Sequence, residues 1–129
     1  MLIMIYTKRY EVMAITKINV IIDDLPKGTG SYSERDISLI DRIMIHHGAS
    51  PDTHDAYTYA AWHISPQGKG WPGIGYHFVI DPDGTINQTN HLKTRSYHSG
   101  SASNTKGVAI CLVGNFNLKD ASRAQVKAA

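Results

Sequence analysis

The chain has a single cysteine, Cys111, among 129 residues. No intrachain disulfide can form, so a disulfide-stapled scaffold is excluded. That count is no evidence for an oxidising compartment and none against secretion. No apolar run approaches the roughly 20 residues that a membrane span needs, so membrane insertion is not expected. Charge of one sign is also scarce. The formal net charge is +2 and the pI about 8.7, too mild a basic excess to argue for nucleic acid. Several short catalytic signatures are missing: there is no HExxH, CxxC, P-loop or GxSxG. The start, Met1 to Tyr6, is followed by Lys8, Arg9 and Glu11, with no basic lead-in and no small-residue cleavage site, so no signal peptide is expected. Met13-Ala14 reads as an alternative start, with residues 1–12 as an upstream extension.

Apolar residues make up 42% and charged residues 19%, the composition of a globular chain with one core. Ile15 to Ile22 is β-branched and reads as a strand or an extended arm. Ser33 to Asp36 leads into a short turn or helix around Ile37, Leu39 and Ile40. Ile43 to His47 reads as a buried strand. Asp52 or Thr53 is the expected cap of a helix reaching Ile64, with Ala56, Tyr59, Ala60 and His63 on one face. Gly75 to Ile80 reads as a second strand, Asp81-Pro82-Asp83-Gly84 as a hairpin turn, and Thr85 to Gln88 as the return strand. Val108 to Val113 has the near-continuous apolar character of a central strand covered on both faces. Asp120 to Ala129 reads as a helix that is incomplete at the chain end. Strands alternating with helical segments predict an α/β fold: a single mixed central β-sheet flanked by helices.

Seven histidines are the compositional excess. His46 ends an apolar strand and is followed by a small-residue turn, a position that aims an imidazole into a cleft. It suits a zinc ligand or a core histidine bonded to backbone, and position alone does not choose. Strand alternation sends His47 to the opposite face, toward a substrate wall or the surface. His54 reads as solvated and His63 as packed. Tyr76 and His77 point to opposite sides, so only one of them faces a given cleft. His98 lies in the polar loop Ser96-Tyr97-His98-Ser99-Gly100 and is a binding candidate. Cys111, inside the most apolar run, reads as an inert core thiol. Trp62, Trp71 and Tyr57 suit either a groove wall or the core.

Taken in order, Ile43-Met44-Ile45-His46-His47-Gly48-Ala49, Trp62-His63, and Gly70-Trp71-Pro72-Gly73-Ile74-Gly75-Tyr76-His77-Phe78-Val79-Ile80 form a pattern. Asp83-Gly84-Thr85-Ile86, His98, and the run from Asn104 to Phe116 through Leu112-Val113-Gly114-Asn115 complete it. The pattern resembles the type-2 N-acetylmuramoyl-L-alanine amidases, a family that includes phage lysozyme-amidases and peptidoglycan recognition proteins. The resemblance covers roughly residues 40–129, an amidase-like domain lacking its C-terminal end, and leaves residues 1–39 as an N-terminal arm or extension. It implies a zinc hydrolase that cuts the amide between the lactyl group of N-acetylmuramic acid and the first L-alanine of the peptide stem. It implies His46 as a zinc ligand and Tyr76 beside the metal and the attacking water. His98 and Asn104 would belong to the substrate groove, with His47 and Trp71 as further substrate-binding candidates. Some relatives place a glutamate base where Cys111 stands. The family's other two protein ligands, a histidine and then a cysteine or aspartate, are expected beyond residue 129. The resemblance therefore supports two functions: a Zn2+ amidase of the phage or prophage endolysin type, released to the wall without a signal peptide, or a non-catalytic peptidoglycan-binding module. The partner is peptidoglycan or a muropeptide in both cases, with no nucleic acid partner expected; the oligomeric state is open.

Overall fold

The computed structural model describes residues 2–6 and 12–129. It contains a mixed six-stranded sheet in the order β1-β2-β5-β4-β6-β3. The strands are β1 (Leu2–Tyr6), β2 (Val12–Val20), β3 (Arg42–His47), β4 (Phe78–Ile80), β5 (Ile86–Gln88) and β6 (Gly107–Leu112). The helices are α1 (Ala56–Ile64), α2 (Ser101–Lys106) and α3 (Arg123–Ala128), with single 3-10 turns at Ile22–Asp24 and Ile37–Leu39. The expected α/β architecture is the observed one. Strand β6 runs parallel to both β4 and β3, while β4 and β5 form the antiparallel hairpin predicted around Asp81 to Gly84. Of the residues expected as an arm, Ile18 to Val20 pair in parallel with Ile86 to Gln88, which joins β2 to the main sheet.

Residue alternation divides the sheet into two faces. One carries His46, Val79, Ala109 and Cys111. There Val79 and Cys111 join Ala56, Tyr59, Ala60 and Ile74 in a buried cluster beneath α1. The other carries Ile43, Ile45, His47, Phe78, Ile80, Ile110 and Leu112, and part of it packs against Phe116, Ala121 and Ala128.

Three boundaries depart from expectation. The α1 cap is Asp55, whose carboxylate accepts the Thr58 N–H, because Pro51 to His54 form a tight turn of their own. The strand expected from Gly75 begins only at Phe78. Before it, Gly75 N–H donates to the His63 ring, and the Asn90 amide donates to the carbonyls of Ile74 and Tyr76, so side chains replace the ladder there. The last helix starts at Arg123 rather than Asp120, since Ser122 and Gln125 form a reciprocal capping box. The face of β6 bearing Ala109 and Cys111 is fully buried, whereas Val108 and Ile110 opposite are only partly covered.

Candidate active site

The cleft forms on the α1 side of the sheet, where β3 ends. Pairing with β6 holds His46 opposite Cys111 and turns its ring toward Tyr76, with ring centroids 5.5 Å apart. His47 goes to the far face, as alternation requires. There its Nδ1 accepts the Phe116 N–H at 3.1 Å, and its ring lies 5.7 Å from that of Phe116. His47 is therefore not on the His46 side.

Tyr76 is wedged between His46, His63 and Tyr59. Burial raises its phenol pKa, and the Cys111 thiol beside it adds to the shift, so the phenol is neutral and remains a donor. Burial likewise pushes the Cys111 thiol up to about 12, which keeps it an inert neutral group as expected. His63 is packed, as expected: Nδ1 accepts the Gly75 N–H at 2.9 Å, and its ring lies 4.8 Å from that of Trp71. Burial lowers its pKa to about 4, with the Lys69 charge acting in the same direction. Trp71 is half-buried against His63 and Tyr97. Gly75 has to be glycine, since a Cβ there would run into the Tyr97 carbonyl.

The loop before α2 brings His98 to His46. Their facing nitrogens, His46 Nε2 and His98 Nδ1, are 3.2 Å apart. The Ser99 hydroxyl lies 3.3 Å from the first and 3.2 Å from the second. Burial lowers the pKa of His46. It lowers that of His98 to about 4, assisted by the charges of His46, His77 and Arg35. Both rings are thus neutral donors near pH 7. Asn104, expected in the groove, is buried beneath the loop. Its Oδ1 accepts the N–H groups of His98 at 2.8 Å and Ser99 at 3.0 Å, so its amide oxygen holds the histidine in place.

These residues, from separate stretches of chain, lie along the segments that match a known family. The sequence pattern of the N-acetylmuramoyl-L-alanine amidase family, Amidase_2, is matched over residues 35–129. The chain belongs to this family. The endolysin of Klebsiella phage KP32 is 31% identical over 80 residues, 60% of this chain and 50% of the endolysin. Peptidoglycan-recognition protein SC2 of Drosophila melanogaster is 33% identical over 60 residues, 46% of this chain and 32% of that protein. The structure of bumblebee PGRP-SA superposes with a TM-score of 0.73 at 26% identity, over 87% of this chain and 69% of that one. The chain spans half or less of the length of these two curated relatives.

Two parts of this amidase-family cleft escaped sequence reasoning. Arg35 is buried and donates to the carbonyls of Leu92, Asn104, Thr105 and Gly107. Helix α2 has no side-chain cap and is built mostly from weak helix formers. Arg35 holds the C-terminal end of α2 and so supports the loop that carries His98. His77, whose ring lies 6.0 Å from that of His98, accepts the Ala109 N–H on Nδ1 at 3.0 Å. Its proton therefore sits on Nε2, which donates to the Thr94 carbonyl at 2.9 Å. Among the described residues no group of three His, Cys, Asp or Glu side chains converges as a metal cage, and no helix is long and apolar enough to cross a membrane.

Proposed function

We propose that this chain carries the catalytic cleft of a zinc-dependent N-acetylmuramoyl-L-alanine amidase of the endolysin type, acting on the lactyl–L-alanine amide of peptidoglycan. The observation that carries this reading is the neutral, half-buried His46 imidazole held by β3 beside a neutral Tyr76 phenol. The donor chemistry fits zinc, because a neutral imidazole nitrogen is one of its commonest ligands. The number of donors falls short: a catalytic zinc site uses three protein ligands, and the described residues do not bring three together. When bound, zinc lowers the pKa of its water to about 7 and polarises the scissile carbonyl.

The chain's own residues do the rest of the work in this reading. Tyr76 donates a hydrogen bond to the attacking water or to the oxyanion that develops from the amide carbonyl, a preorganised donor of the kind worth about 3–4 kcal/mol. Trp71 supplies a flat apolar wall for sugar or peptide, and the loop of His98 closes the other side. A phage or prophage origin, with release to the wall by another protein, accords with the endolysin relative.

The test is release of new L-alanine N-termini from purified peptidoglycan, read beside zinc content. His46→Ala is expected to abolish both zinc binding and release. Tyr76→Phe is expected to lower turnover by about 100-fold or more while zinc stays in place. Full-rate release by His46→Ala would overturn the ligand assignment. The peptidoglycan-recognition relatives support one other reading, a peptidoglycan-binding module, and co-sedimentation with the polymer without any amide cleavage would establish it.

A further inference from the structure

We infer that Tyr32 is a positioning residue for the substrate groove: its side chain ties the Trp71 wall to the His98 wall and so sets how far apart they stand. The inference rests on the reading of that cleft as the site for the muramoyl–peptide amide. Tyr32 itself lies ahead of residues 35–129, the stretch matched to the family.

The first support is that one side chain meets both walls. The Tyr32 hydroxyl donates to the Gly73 carbonyl at 2.7 Å, two residues after Trp71. The Tyr32 ring stands edge-on to that of Tyr97, the residue before His98, with centroids 4.8 Å apart and planes at 87°. Tyr97 in turn meets Trp71 edge-on at 5.8 Å. The ring quadrupoles favour this edge-to-face arrangement over a face-to-face one, so the contact has a preferred geometry as well as buried area.

The second support is that the backbone on either side of Tyr32 is fastened to the same two walls. The Gly28 N–H donates to the Pro72 carbonyl at 2.9 Å, and a Cβ at Gly28 would run into the Trp71 carbonyl. Further on, Glu34 pairs with Thr94 in an antiparallel bridge. The Arg95 N–H donates to the Ser33 carbonyl at 2.9 Å and the Arg35 N–H to the Lys93 carbonyl at 2.8 Å. Residues 28–35 are therefore a strap, fixed at one end to the Trp71 loop and at the other to the loop that leads to His98.

The third is depth. The fully buried Ser96 hydroxyl donates to the Gly75 carbonyl at 2.8 Å, which joins the walls at the floor. Tyr32 is half-buried, so its contacts act nearer the rim. The Trp71 loop ends before β4 begins at Phe78, and the His98 loop ends before α2 begins at Ser101. Their spacing thus depends on side-chain ties, and a groove held by such ties loses little freedom when its ligand binds.

The competing explanation is that Tyr32 adds only to overall stability. Calorimetric titration of N-acetylmuramoyl-L-alanyl-D-isoglutamine into the chain separates the two, read beside amide hydrogen exchange at single residues. Tyr32→Leu removes both contacts. It is expected to weaken binding by about 10-fold or more, since displaced walls misplace the ligand. It is also expected to speed exchange at the Trp71 N–H, which bonds the His63 carbonyl, and at the His98 N–H, which bonds Asn104. Tyr32→Phe keeps the ring and loses only the Gly73 bond. It is expected to weaken binding by about 5-fold and to speed exchange at Trp71 alone. It also covers the case in which the leucine variant does not fold. On peptidoglycan itself the same loss is expected as a higher KM at unchanged kcat. Ile86→Val, which lowers stability from the opposite face of the sheet, is expected to leave affinity unchanged. Tyr32 variants that bind as tightly as the parent, or exchange that quickens throughout the chain instead of at the walls, would overturn the proposal and leave the cleft reading intact. A parent chain that neither binds the dipeptide nor releases amide from peptidoglycan would overturn the cleft reading and this role of Tyr32 with it.

Discussion

The two faces of the sheet are built on opposite physical terms. On the His46 face, buried polar groups are satisfied one by one: Arg35 on backbone carbonyls, His63 on Gly75, His77 on Ala109 and Thr94, Asn104 on the His98 loop. On the other face the contacts are apolar and the cover is thinner. Ile43 is 64% exposed and Ile45 55%, and an open groove of about 230 Å³ lies between Ile18, Phe78, Ile86, Ile110 and Ala128. Directional bonds place side chains to fractions of an ångström and fail sharply when broken. Apolar contact is tolerant. The candidate cleft lies on the directional face, where a site's geometry can be held with that precision.

The most severe way to break the contrast is Arg35→Met. A thioether fills part of the space but leaves the carbonyls of Leu92, Asn104, Thr105 and Gly107 without their donor. Removing one partner of such a buried charged network costs about 3–5 kcal/mol. Urea denaturation is expected to show that loss. Arg35→Lys, which keeps the charge but not the planar fork, is expected to recover only part of it.

A smaller effect comes from pH. The folded pKa of His63 is lowered to about 4 from an ordinary value of 6.5. The folded state therefore binds fewer protons than the unfolded chain between those values, and stability falls as pH drops from about 6.5 toward 4. The contribution is full above the unfolded pKa and gone below the folded one. With solvent screening allowed for, it is on the order of 2 kcal/mol. Thermal melts across that range are expected to show the decline. His63→Asn, whose amide oxygen replaces Nδ1 as acceptor for Gly75, is expected to flatten the slope.

The same contrast explains what the sequence made legible. Apolar periodicity made β3, β6, the buried stripe of α1 and the turn at Asp81 to Gly84 legible as elements, but β3, expected to be buried, is an edge strand with Ile43 and Ile45 exposed, because only β6 among the described strands pairs with it. Alternation alone separated His46 from His47, whereas Tyr76 and His77 precede the regular strand that begins at Phe78. The directional bonds were not legible, because their partners are distant in the chain. His46 and His98 are 52 residues apart, and Arg35 reaches carbonyls up to 72 residues away. Nothing in the local pattern around Arg35 marks it as buried. Helix α2 was hidden by its serines, asparagine and threonine, which favour turns, and by Gly100 at a φ of 87° as its cap. The start of α3 was readable in principle, since Ser122 and Gln125 have the spacing of a capping box.

The smallest expected effect sharpens the contrast from the apolar side. Ile43→Thr and Ile45→Thr keep a β-branched side chain on β3 and remove only surface that is already more than half exposed. Each is expected to change stability by no more than about 0.5 kcal/mol, as surface substitutions do. The readout is the urea midpoint at unchanged slope, with sedimentation velocity run on the same samples. A loss above about 1.5 kcal/mol in either variant would mean that this face is covered in solution, and sedimentation would tell whether a second copy covers it. A null result in both would leave the tolerance of this face as a property of the sheet itself, since β3 then holds His46 in place through its pairing with β6 and not through what its outer side chains touch.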